Sequence, residues 1–514
     1  MKRILITCCC LFLATALQAQ QKGVSDSLYM YAQQQHEMRM IHGSATQLST
    51  LTLQSTGMAT LGFSYTGGRY RLAQEAEKTR LASFYTEGTA RLGRFNIAGT
   101  FSFHRQWDDS LAYTLKGEDD GFSPYYYFVK RKGAYTRQQY YMHTILSYQL
   151  LKEKLFISTG IDYNYHWTTR SVDPRPDVNS FRLVLNPEIT WRLKRHTLGA
   201  GIIWGYGQEK TGIVYKNKMM QNNNKDSSWV VFLNSGYGSF HNMRQQWNRD
   251  RKYHGFNASY AGAWSNWQLR ATAVWNYLEE KNTINLNANN EQDYQPFSNW
   301  FKSNWRADLL LQQQTAARRQ QFRLSWQAIR GKDEDLFITF RSNYLYRQQY
   351  IDAGWLLLQH PQQRLSIEWG VRLIYNDRRQ TDAFAAHTLH YRQLQPGISG
   401  TVYLTPDKRN RFHASISPSV RIPLQTDFTA PDTQENIFTN GVAYPDYHYW
   451  SATTLSTTLE AGWISGAIFR EMKFGITARA TLDNKLAMPA VKTSAYFIPG
   501  DHRVNAGLSV NLYF

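Results

Sequence analysis

Apolar and polar side chains alternate along many stretches of this chain. Between residues 181 and 193 the odd positions carry Phe, Leu, Leu, Pro, Ile, Trp and Leu, whereas the even positions are mostly polar. The last stretch, 504–514, has an apolar side chain at every even position and ends on Phe514. A period of two predicts β-strands with one apolar and one polar face. Neither a helix nor a strand buried on both faces gives such strict alternation.

The same alternation recurs from end to end and predicts 18 strands, within a range of 14–18. The predicted strands are 57–65, 84–92, 95–107, 136–151, 154–169, 179–193, 196–209, 251–264, 267–280, 301–314, 319–331, 346–359, 364–376, 387–404, 411–423, 450–464, 467–482 and 502–514. Two regions stay ambiguous: 66–83, and 229–240, where a further strand fits inside a loop.

The connections alternate between short turns and long polar loops. Membrane β-barrels keep short turns on the periplasmic side and long loops on the outer side. The pattern therefore predicts an all-β fold, a transmembrane antiparallel up-and-down barrel over 53–514, with both termini in the periplasm. A mean hydropathy of -0.53 and 15% aromatic residues fit a barrel, because only alternate residues face lipid and aromatic girdles line both interfaces. A secreted β-sandwich or propeller explains the hydropathy but not the terminal strand.

The terminal strand resembles the closing strand of outer-membrane β-barrel proteins. In those proteins an aromatic carboxy-terminus serves as an assembly signal, which here implicates Val510, Leu512 and Phe514. The resemblance implies the cell outer membrane as the location, with outer-membrane lipid and the barrel-assembly machinery as partners.

The amino-terminus predicts a secretory signal peptide over residues 1–19. A basic start, Met1–Arg3, precedes an apolar run from Ile4 to Leu17, and Ala19-Gln20 is a plausible cleavage point. The chain's three cysteines all fall inside this peptide, so we expect no disulfide in the mature protein.

The formal net charge is +19, which falls to +17 without Lys2 and Arg3. Without a basic cluster or recognition motif, we expect no nucleic-acid partner. We expect instead a surface that faces anionic lipid and a basic lumen. The candidate lumen-lining residues, taken from strand parity, are Arg91, Arg182, Glu188, Arg192, Arg270, Glu368, Arg372, Arg411, Arg421, Glu471, Lys473 and Arg479, with Glu87 and Asp162 as further acidic members. Such an interior either favours anions or is a network of ion pairs between neighbouring strands.

Two loops are rich in aromatic residues, Phe122–Phe128 and Tyr444–Trp450. Exposed rings there bind sugars or a partner protein, or they belong to the interfacial girdles, which is the reading we favour. The histidines show no zinc-ligand spacing, and we predict no metal, no cofactor and no catalytic residue. His413 and Ser415 both face the predicted lumen, whereas barrel hydrolases need a Ser–His pair on the lipid side or an Asp–His-type cluster at the rim.

Residues 20–52 differ from the rest of the chain. Leu28, Tyr31, Ala32, Met38 and Ile41 recur at roughly helical spacing. A short periplasmic helix and a plug in the barrel mouth both fit this segment, which is too small to be the plug domain of an energised receptor.

The mature chain resembles uncharacterised outer-membrane β-barrels of the Bacteroidota type. The resemblance rests on the Ala19-Gln20 signal exit, the Thr-Gly-Gly-Arg-Tyr stretch at 66–70, Glu87-Gly88 and the closing strand. It implies no known activity. The sequence favours a passive pore or a transport-associated barrel, which works beside a separate transporter or a surface lipoprotein. The alternatives are a surface-binding or assembly scaffold that acts through its aromatic loops and, more remotely, an outer-membrane hydrolase.

Overall fold

The computed structural model describes residues 29–51, 55–117, 122–221, 226–243, 245–286, 293–337, 339–361, 363–407, 409–469, 471–489 and 494–514. The predicted signal peptide lies outside these ranges. The strands are β1 Ser55–Gly68, β2 Lys78–Leu92, β3 Phe95–Leu111, β4 Tyr125–Phe128, β5 Gly133–Leu151, β6 Leu155–Arg170, β7 Arg175–Leu193, β8 His196–Val214, β9 Phe232–Ser235, β10 Phe240–His241, β11 Trp247–Trp264, β12 Trp267–Asn285, β13 Tyr294–Gln314, β14 Arg318–Asp335, β15 Tyr344–Gln359, β16 Leu365–Asp382, β17 His387–Leu404, β18 Asn410–Thr429, β19 Thr453–Ser465, β20 Lys473–Ala487 and β21 His502–Tyr513. The helices are α1 Ala32–His42, α2 Ala45–Ser49, α3 Lys218–Gln221 and α4 Tyr444–Ser451, with short 3₁₀ and π turns at Asp432–Gln434 and Thr439–Ala443.

Eighteen strands of the described residues, all except β4, β9 and β10, form one antiparallel sheet that closes on itself. We call these strands the wall. Each wall strand pairs with its neighbours in the chain, and β21 pairs with β1 to close the ring. The predicted transmembrane up-and-down barrel of 18 strands is therefore confirmed. Closure pairs the backbone groups of every strand edge, which a membrane-spanning sheet requires.

The outer face of the wall is apolar over a continuous band. Large apolar side chains are exposed on it at alternate positions, for example Phe63, Trp204, Trp369, Val371 and Ile398. The residues between them face the lumen. This arrangement is the one that the alternation predicts, because lipid takes the place of water around the outer face.

The two ends of the barrel differ in their connections. One end, here called the short-turn end, carries tight turns such as those at 93–94, 194–195 and 265–266. The other, the long-loop end, carries the long connections. Several wall strands extend past their predicted limits at the long-loop end: β7 begins at Arg175 rather than 179, and β13 begins at Tyr294 rather than 301. Two predicted strands near the carboxy-terminus begin later than expected, since β19 starts at Thr453 and β20 at Lys473.

Two groups of residues fill the ends of the lumen. Residues 29–51, here called the N-terminal segment, contain α1 and α2 and cross the short-turn end. Strands β4, β9 and β10 form a separate three-stranded sheet, here called the inner sheet, at the long-loop end. In the described part of the chain no helix is both long and apolar enough to cross a membrane.

Candidate functional site

The N-terminal segment crosses the mouth of the barrel at the short-turn end through apolar contacts with many wall strands. The ring of Tyr29 packs 5.6 Å from that of Tyr513, and the ring of Tyr31 meets Tyr403 edge-on at 4.8 Å. On the opposite side of the mouth, Met38, Ile41, Ala45 and Leu48 form a buried cluster with Ala98 and Ile145. The segment therefore touches the wall on both sides of the lumen.

Polar groups of the wall bind the same segment. Arg270 Nη2 donates to Glu37 Oε1 at 2.8 Å, and its Nη1 donates to Thr50 Oγ1 at 2.7 Å. Glu188 is buried and accepts hydrogen bonds from the backbone N–H of Thr46, at 2.8 Å, and from the Thr46 hydroxyl. Arg192 donates to the carbonyl oxygen of Ser49. Three of the predicted lumen residues, Arg270, Glu188 and Arg192, thus bind the N-terminal segment through their charged side chains.

Histidines supply further contacts between the segment and the wall. His42 Nδ1 lies 3.2 Å from Glu87 Oε2, and His143 lies 2.9 Å from both the His42 carbonyl oxygen and Asp162 Oδ1. Glu87 and Asp162 therefore pair with histidines, and each also accepts a hydrogen bond from a tyrosine, Tyr85 and Tyr141 respectively.

His36 occupies a basic environment on α1. Arg323 Nη1 lies 3.2 Å from His36 Nε2, while His36 Nδ1 lies 2.9 Å from Gln321 Oε1. Because the guanidinium donates, His36 Nε2 must accept, so the ring is neutral and its Nδ1–H donates to Gln321. Burial and the Arg323 guanidinium lower the pKa of His36 to about 4. Protonation of this ring therefore opposes docking of the segment.

The inner sheet blocks the long-loop end. Tyr125, Tyr127 and Phe128 of β4 are fully buried, and Phe128 packs against Phe232 at 5.3 Å and Phe438 at 5.9 Å. These rings join two apolar clusters that include inward-facing residues of the wall. The long-loop end is thus closed mainly by large aromatic clusters, whereas the short-turn end combines smaller apolar clusters with polar bonds.

Two buried aspartates of the wall fix the position of this sheet. Asp382 Oδ2 accepts from the backbone N–H groups of Tyr237 and Ser239, each at 2.8 Å. Asp333 Oδ2 accepts from the Tyr125 hydroxyl at 2.7 Å. These charge-assisted bonds orient the turn of β9 and β10 and the start of β4 against the wall.

The two aromatic loops are neither exposed binding surfaces nor girdle residues, and both interpretations from the sequence are wrong. The first loop lies inside the barrel as β4. The second contains α4, in which Tyr444 is buried and Trp450 stacks on Tyr391 at 4.5 Å. Arg421, a predicted lumen residue, lies 4.5 Å from the ring of Tyr449 and donates to the Tyr449 carbonyl oxygen at 3.0 Å.

A polar chamber lies between the two filled ends. Inward-facing Arg306 pairs with Asp308 at 2.7 Å, yet 58% of its side chain is exposed. Arg372 pairs with Asp352 at 2.8 Å, and 51% of its side chain is exposed. Since these side chains point into the lumen, their exposure requires open space at mid-height. Arg479 is also exposed, and Arg91 is exposed at the short-turn end of β2.

The other predicted lumen residues are distributed as follows. Arg182 lies 6.0 Å from the ring of Tyr253. Glu368 is buried and accepts from the Tyr403 hydroxyl at 3.2 Å, and Arg411 Nη1 lies 3.9 Å from Met30 Sδ. Lys473 is the first residue of β20, and Glu471 is exposed in the turn before it.

A second polar space lies between the loops and wall strands β2, β3, β5 and β6. It has a volume of about 430 Å³ and is lined by Gln74, His104, Asp108 and Arg137 among others. Among the described residues no group of three or more His, Cys, Asp or Glu side chains is placed to hold a metal ion.

Sequence reasoning missed the partners of the lumen residues. Parity assigns Arg270 and Glu188 to the lumen, but their partners Glu37 and Thr46 are more than 140 positions away in the chain. The one available signal is the helical spacing around Met38 and Ile41, which marks an apolar face without indicating what it covers.

The carboxy-terminal strand lies in the wall as β21. Val510 pairs with Leu61, and Leu512 pairs with Ala59. The Phe514 carbonyl oxygen accepts from the Gly57 N–H at 2.7 Å, and the Phe514 N–H donates to the Gly57 carbonyl oxygen at 3.0 Å. The chain end therefore completes the seam between β1 and β21.

Comparison with known proteins gives one family match. The model of the Family of unknown function (DUF6850) matches residues 45–514. No curated protein matches the chain. Similar solved structures include the copper transporter OprC (8% identity, TM-score 0.43, covering 90% of this chain and 80% of that one). Others are the ferric citrate transporter FecA in its unliganded form (9%, 0.41, 90% and 79%) and the ferric-catecholate import receptor Fiu from E. coli K12 in its open form (9%, 0.40, 90% and 81%).

Proposed function

Because this chain belongs to the DUF6850 family, whose function is unknown, we infer its role from the barrel itself. We propose that it is a transport-associated outer-membrane barrel whose path is closed at rest by two internal seals. The N-terminal segment is the seal at the short-turn end, and the inner sheet with its loops is the seal at the long-loop end. An open passive pore, the simplest reading of the sequence, is replaced in this proposal by a gated one.

One observation carries the proposal: charged side chains remain exposed in a chamber between two closed ends. Arg306 and Arg372 point into the lumen and keep more than half of their side-chain surface exposed. A scaffold with no conduit gains nothing from such a chamber, since an unfilled interior forgoes the packing contacts that stabilise a filled core. Arg323 and Arg372 share the single carboxylate of Asp352, and this excess of positive charge favours anionic permeants.

The N-terminal segment is the better candidate for the moving seal. Its apolar contacts with the wall are limited to small clusters, and Arg270, Glu188 and Arg192 hold it by side chains that water can solvate after release. Opening at this end therefore exposes less apolar surface than withdrawal of the inner sheet, whose contacts are aromatic.

The orientation and the partners belong to the same proposal. We place the short turns, the N-terminal segment and both termini in the periplasm, after removal of a signal peptide over residues 1–19. The barrel-assembly machinery recognises the end of β21. A separate transporter or surface lipoprotein supplies the force or the substrate.

A reversible cross-link tests the proposal directly. Ser44 Oγ of the N-terminal segment donates to Ser259 Oγ of β11 at 3.0 Å, and both residues are buried. Replacing both with cysteine, S44C/S259C, brings two thiols within disulfide range in a chain whose own cysteines lie in the predicted signal peptide. In planar bilayers under applied voltage we expect channel openings from the wild type, none from the oxidised variant, and their return after reduction.

A matched control uses two serines of the wall. Ser158 Oγ donates to Ser147 Oγ at 2.8 Å between β6 and β5, and both are buried. Oxidation of S147C/S158C should leave the openings unchanged, because neither strand moves. Equal conductance of oxidised and reduced S44C/S259C would show that ions do not pass the N-terminal segment and would overturn the proposal.

Acidification is expected to open the barrel through His36. The docked ring has a pKa of about 4, whereas a released histidine titrates near 6.5. Between these values the released state binds the extra proton, so docking weakens as pH falls from about 6.5 to about 4. The total loss is about 3 kcal/mol. Arg323, Arg39 and Asp352 all act on this ring.

The measurement is open probability against the pH on the short-turn side. His36→Gln should remove the His36 part of the pH dependence, since the amide cannot take up a proton in this range. Identical pH profiles for the wild type and this variant would contradict the prediction.

A further inference from the structure

Three arginines form a ladder on the outer face of the wall at the long-loop end. In the strand register Arg330 of β14 lies opposite Arg347 of β15, and Arg347 lies opposite Arg379 of β16. The next position along the row, on β17, is His390. All three arginines are exposed. We call Arg330, Arg347 and Arg379 the arginine ladder.

The alternation of the strands shows that the ladder faces outward. On β15, Arg347 lies on the same face as the exposed Leu345, whereas Tyr344 and Tyr346 lie on the other face and are buried inside the barrel. On β14 it shares a face with exposed Trp326, while Ile329 is buried. The ladder therefore points toward the membrane and not into the lumen.

Directly opposed like charges destabilise a sheet, since facing Cβ atoms are only about 5 Å apart. Within the described part of the chain, none of the three guanidinium groups forms an ion pair with a carboxylate. The nearby outward carboxylate of Asp377 is bound to His390 Nε2 at 3.0 Å and to Arg392 Nε at 2.9 Å. The repulsion in the ladder is thus not neutralised by the protein itself.

The height of the ladder matches a lipid headgroup layer. Arg330 lies 12 positions after Arg318, the first residue of β14 at the short-turn end. At about 3.3 Å per residue this is roughly 40 Å along the strand. A tilt of about 40° reduces it to roughly 30 Å, the thickness of the hydrocarbon core. The apolar band that includes Trp326 and Leu373 lies just on the membrane side of the ladder.

We propose that the arginine ladder binds the phosphate of an anionic lipid in the leaflet on the long-loop side. Guanidinium groups bind phosphate oxygens through paired hydrogen bonds. A phosphate that lies between two neighbouring arginines of the ladder attracts both and so offsets their mutual repulsion. The acyl chains of the lipid lie on the apolar band below. This continuity of charged and apolar surface favours a lipid over a protein partner.

If the ladder binds a phosphate, adding an anionic lipid should reverse the order of thermal stability between the wild type and a variant without the ladder. A general folding defect in the variant would not produce this reversal. In a zwitterionic detergent, R330Q/R347Q/R379Q should unfold at a higher temperature than the wild type, because the repulsion is gone. With a bisphosphorylated glycolipid of the lipid A type added, the wild type should become the more stable of the two. Native mass spectrometry should show at least tenfold less retained glycolipid on the variant.

Two controls make the result specific. The variant R80Q/K210Q/K252Q removes the same charge from scattered exposed positions on β2 and on the neighbouring strands β8 and β11, none of which face one another in the strand register, and it should retain the glycolipid like the wild type. Dephosphorylated glycolipid should bind neither the wild type nor the ladder variant strongly. Equal loss of lipid from the scattered and ladder variants, or equal binding of the dephosphorylated lipid, would overturn the proposal.

Discussion

Replacing Glu188 with alanine is expected to turn a mostly silent barrel into one that conducts at neutral pH. Glu188 is buried and accepts hydrogen bonds from the Thr46 N–H and hydroxyl and from Asn257 Nδ2. A hydrogen bond to a charged acceptor contributes about 1.5–3 kcal/mol. Losing those to Thr46 costs the docked N-terminal segment about 3 kcal/mol, which is roughly a hundredfold change in the ratio of closed to open states.

Single-channel recording in planar bilayers measures this ratio as the open probability. Glu460→Gln is the matched control, because Glu460 contacts His413 of the neighbouring wall strand at 3.3 Å and should leave the closed state unchanged. Glu188→Gln keeps an acceptor oxygen and should fall between the wild type and the alanine variant. A Glu188→Ala protein as silent as the wild type would mean that this carboxylate does not hold the seal.

The second large effect is expected at the seam of the barrel. A Cβ atom on Gly57 would lie 2.3 Å from Cε2 of Phe514, far inside van der Waals contact. Gly57→Val should therefore displace the Phe514 ring and weaken the seating of the last strand against the first, since overpacking costs about 1–3 kcal/mol. We expect the folded fraction to fall at least tenfold, measured by the mobility of unheated protein in gel electrophoresis.

Gly99 offers a matched control, because an added Cβ there meets no described atom within 4 Å. Gly99→Ala should fold like the wild type. In refolding of the purified protein, where no assembly machinery acts, the combination G57A/F514A should fold better than G57A alone, since removing the ring relieves the clash, and this recovery gives a double-mutant cycle for the contact. Additive losses in the double variant would contradict a direct clash.

The strands of the wall could be predicted from the sequence because the alternation that identifies them is a local pattern. Alternation over about ten residues assigns both the strand and its lipid-facing side, and it located β7, β17 and β21 to within four residues. It located β20 less well: the prediction began at 467, whereas the strand begins at Lys473. Ala467 and Ile468 continue an apolar pattern, so periodicity alone does not mark the turn.

The elements inside the barrel, such as β4 and α4, could not be predicted in the same way. Tyr125–Phe128 is a short run of aromatic residues without alternation, and it is buried on both faces. Periodicity cannot distinguish such a strand from a loop or from interfacial residues. Pro445 within the first turn of α4 is compatible with a helix start, and it was the available hint that residues 450 and 451 do not belong to a strand.

The lumen residues illustrate the same division. Strand parity assigned Arg270 and Glu188 to the lumen, but a mutual ion-pair network between neighbouring strands was one of two expectations. Most of their contacts instead come from the N-terminal segment, which is distant in the chain. Only three-dimensional closure brings these groups together, so no local pattern could have identified the partners.

The packing of Tyr29 on Tyr513 sets an order of events during biogenesis. These rings are separated by almost the whole chain, yet they form one cluster with Ile464. Tyr29 emerges first from synthesis but has no surface to dock on until the final strand is in place. The Tyr29 end of the N-terminal segment must then stay undocked, and accessible to proteases, for as long as the wall is unfinished. Docking of this segment therefore marks a barrel as complete, and failed intermediates remain exposed to degradation.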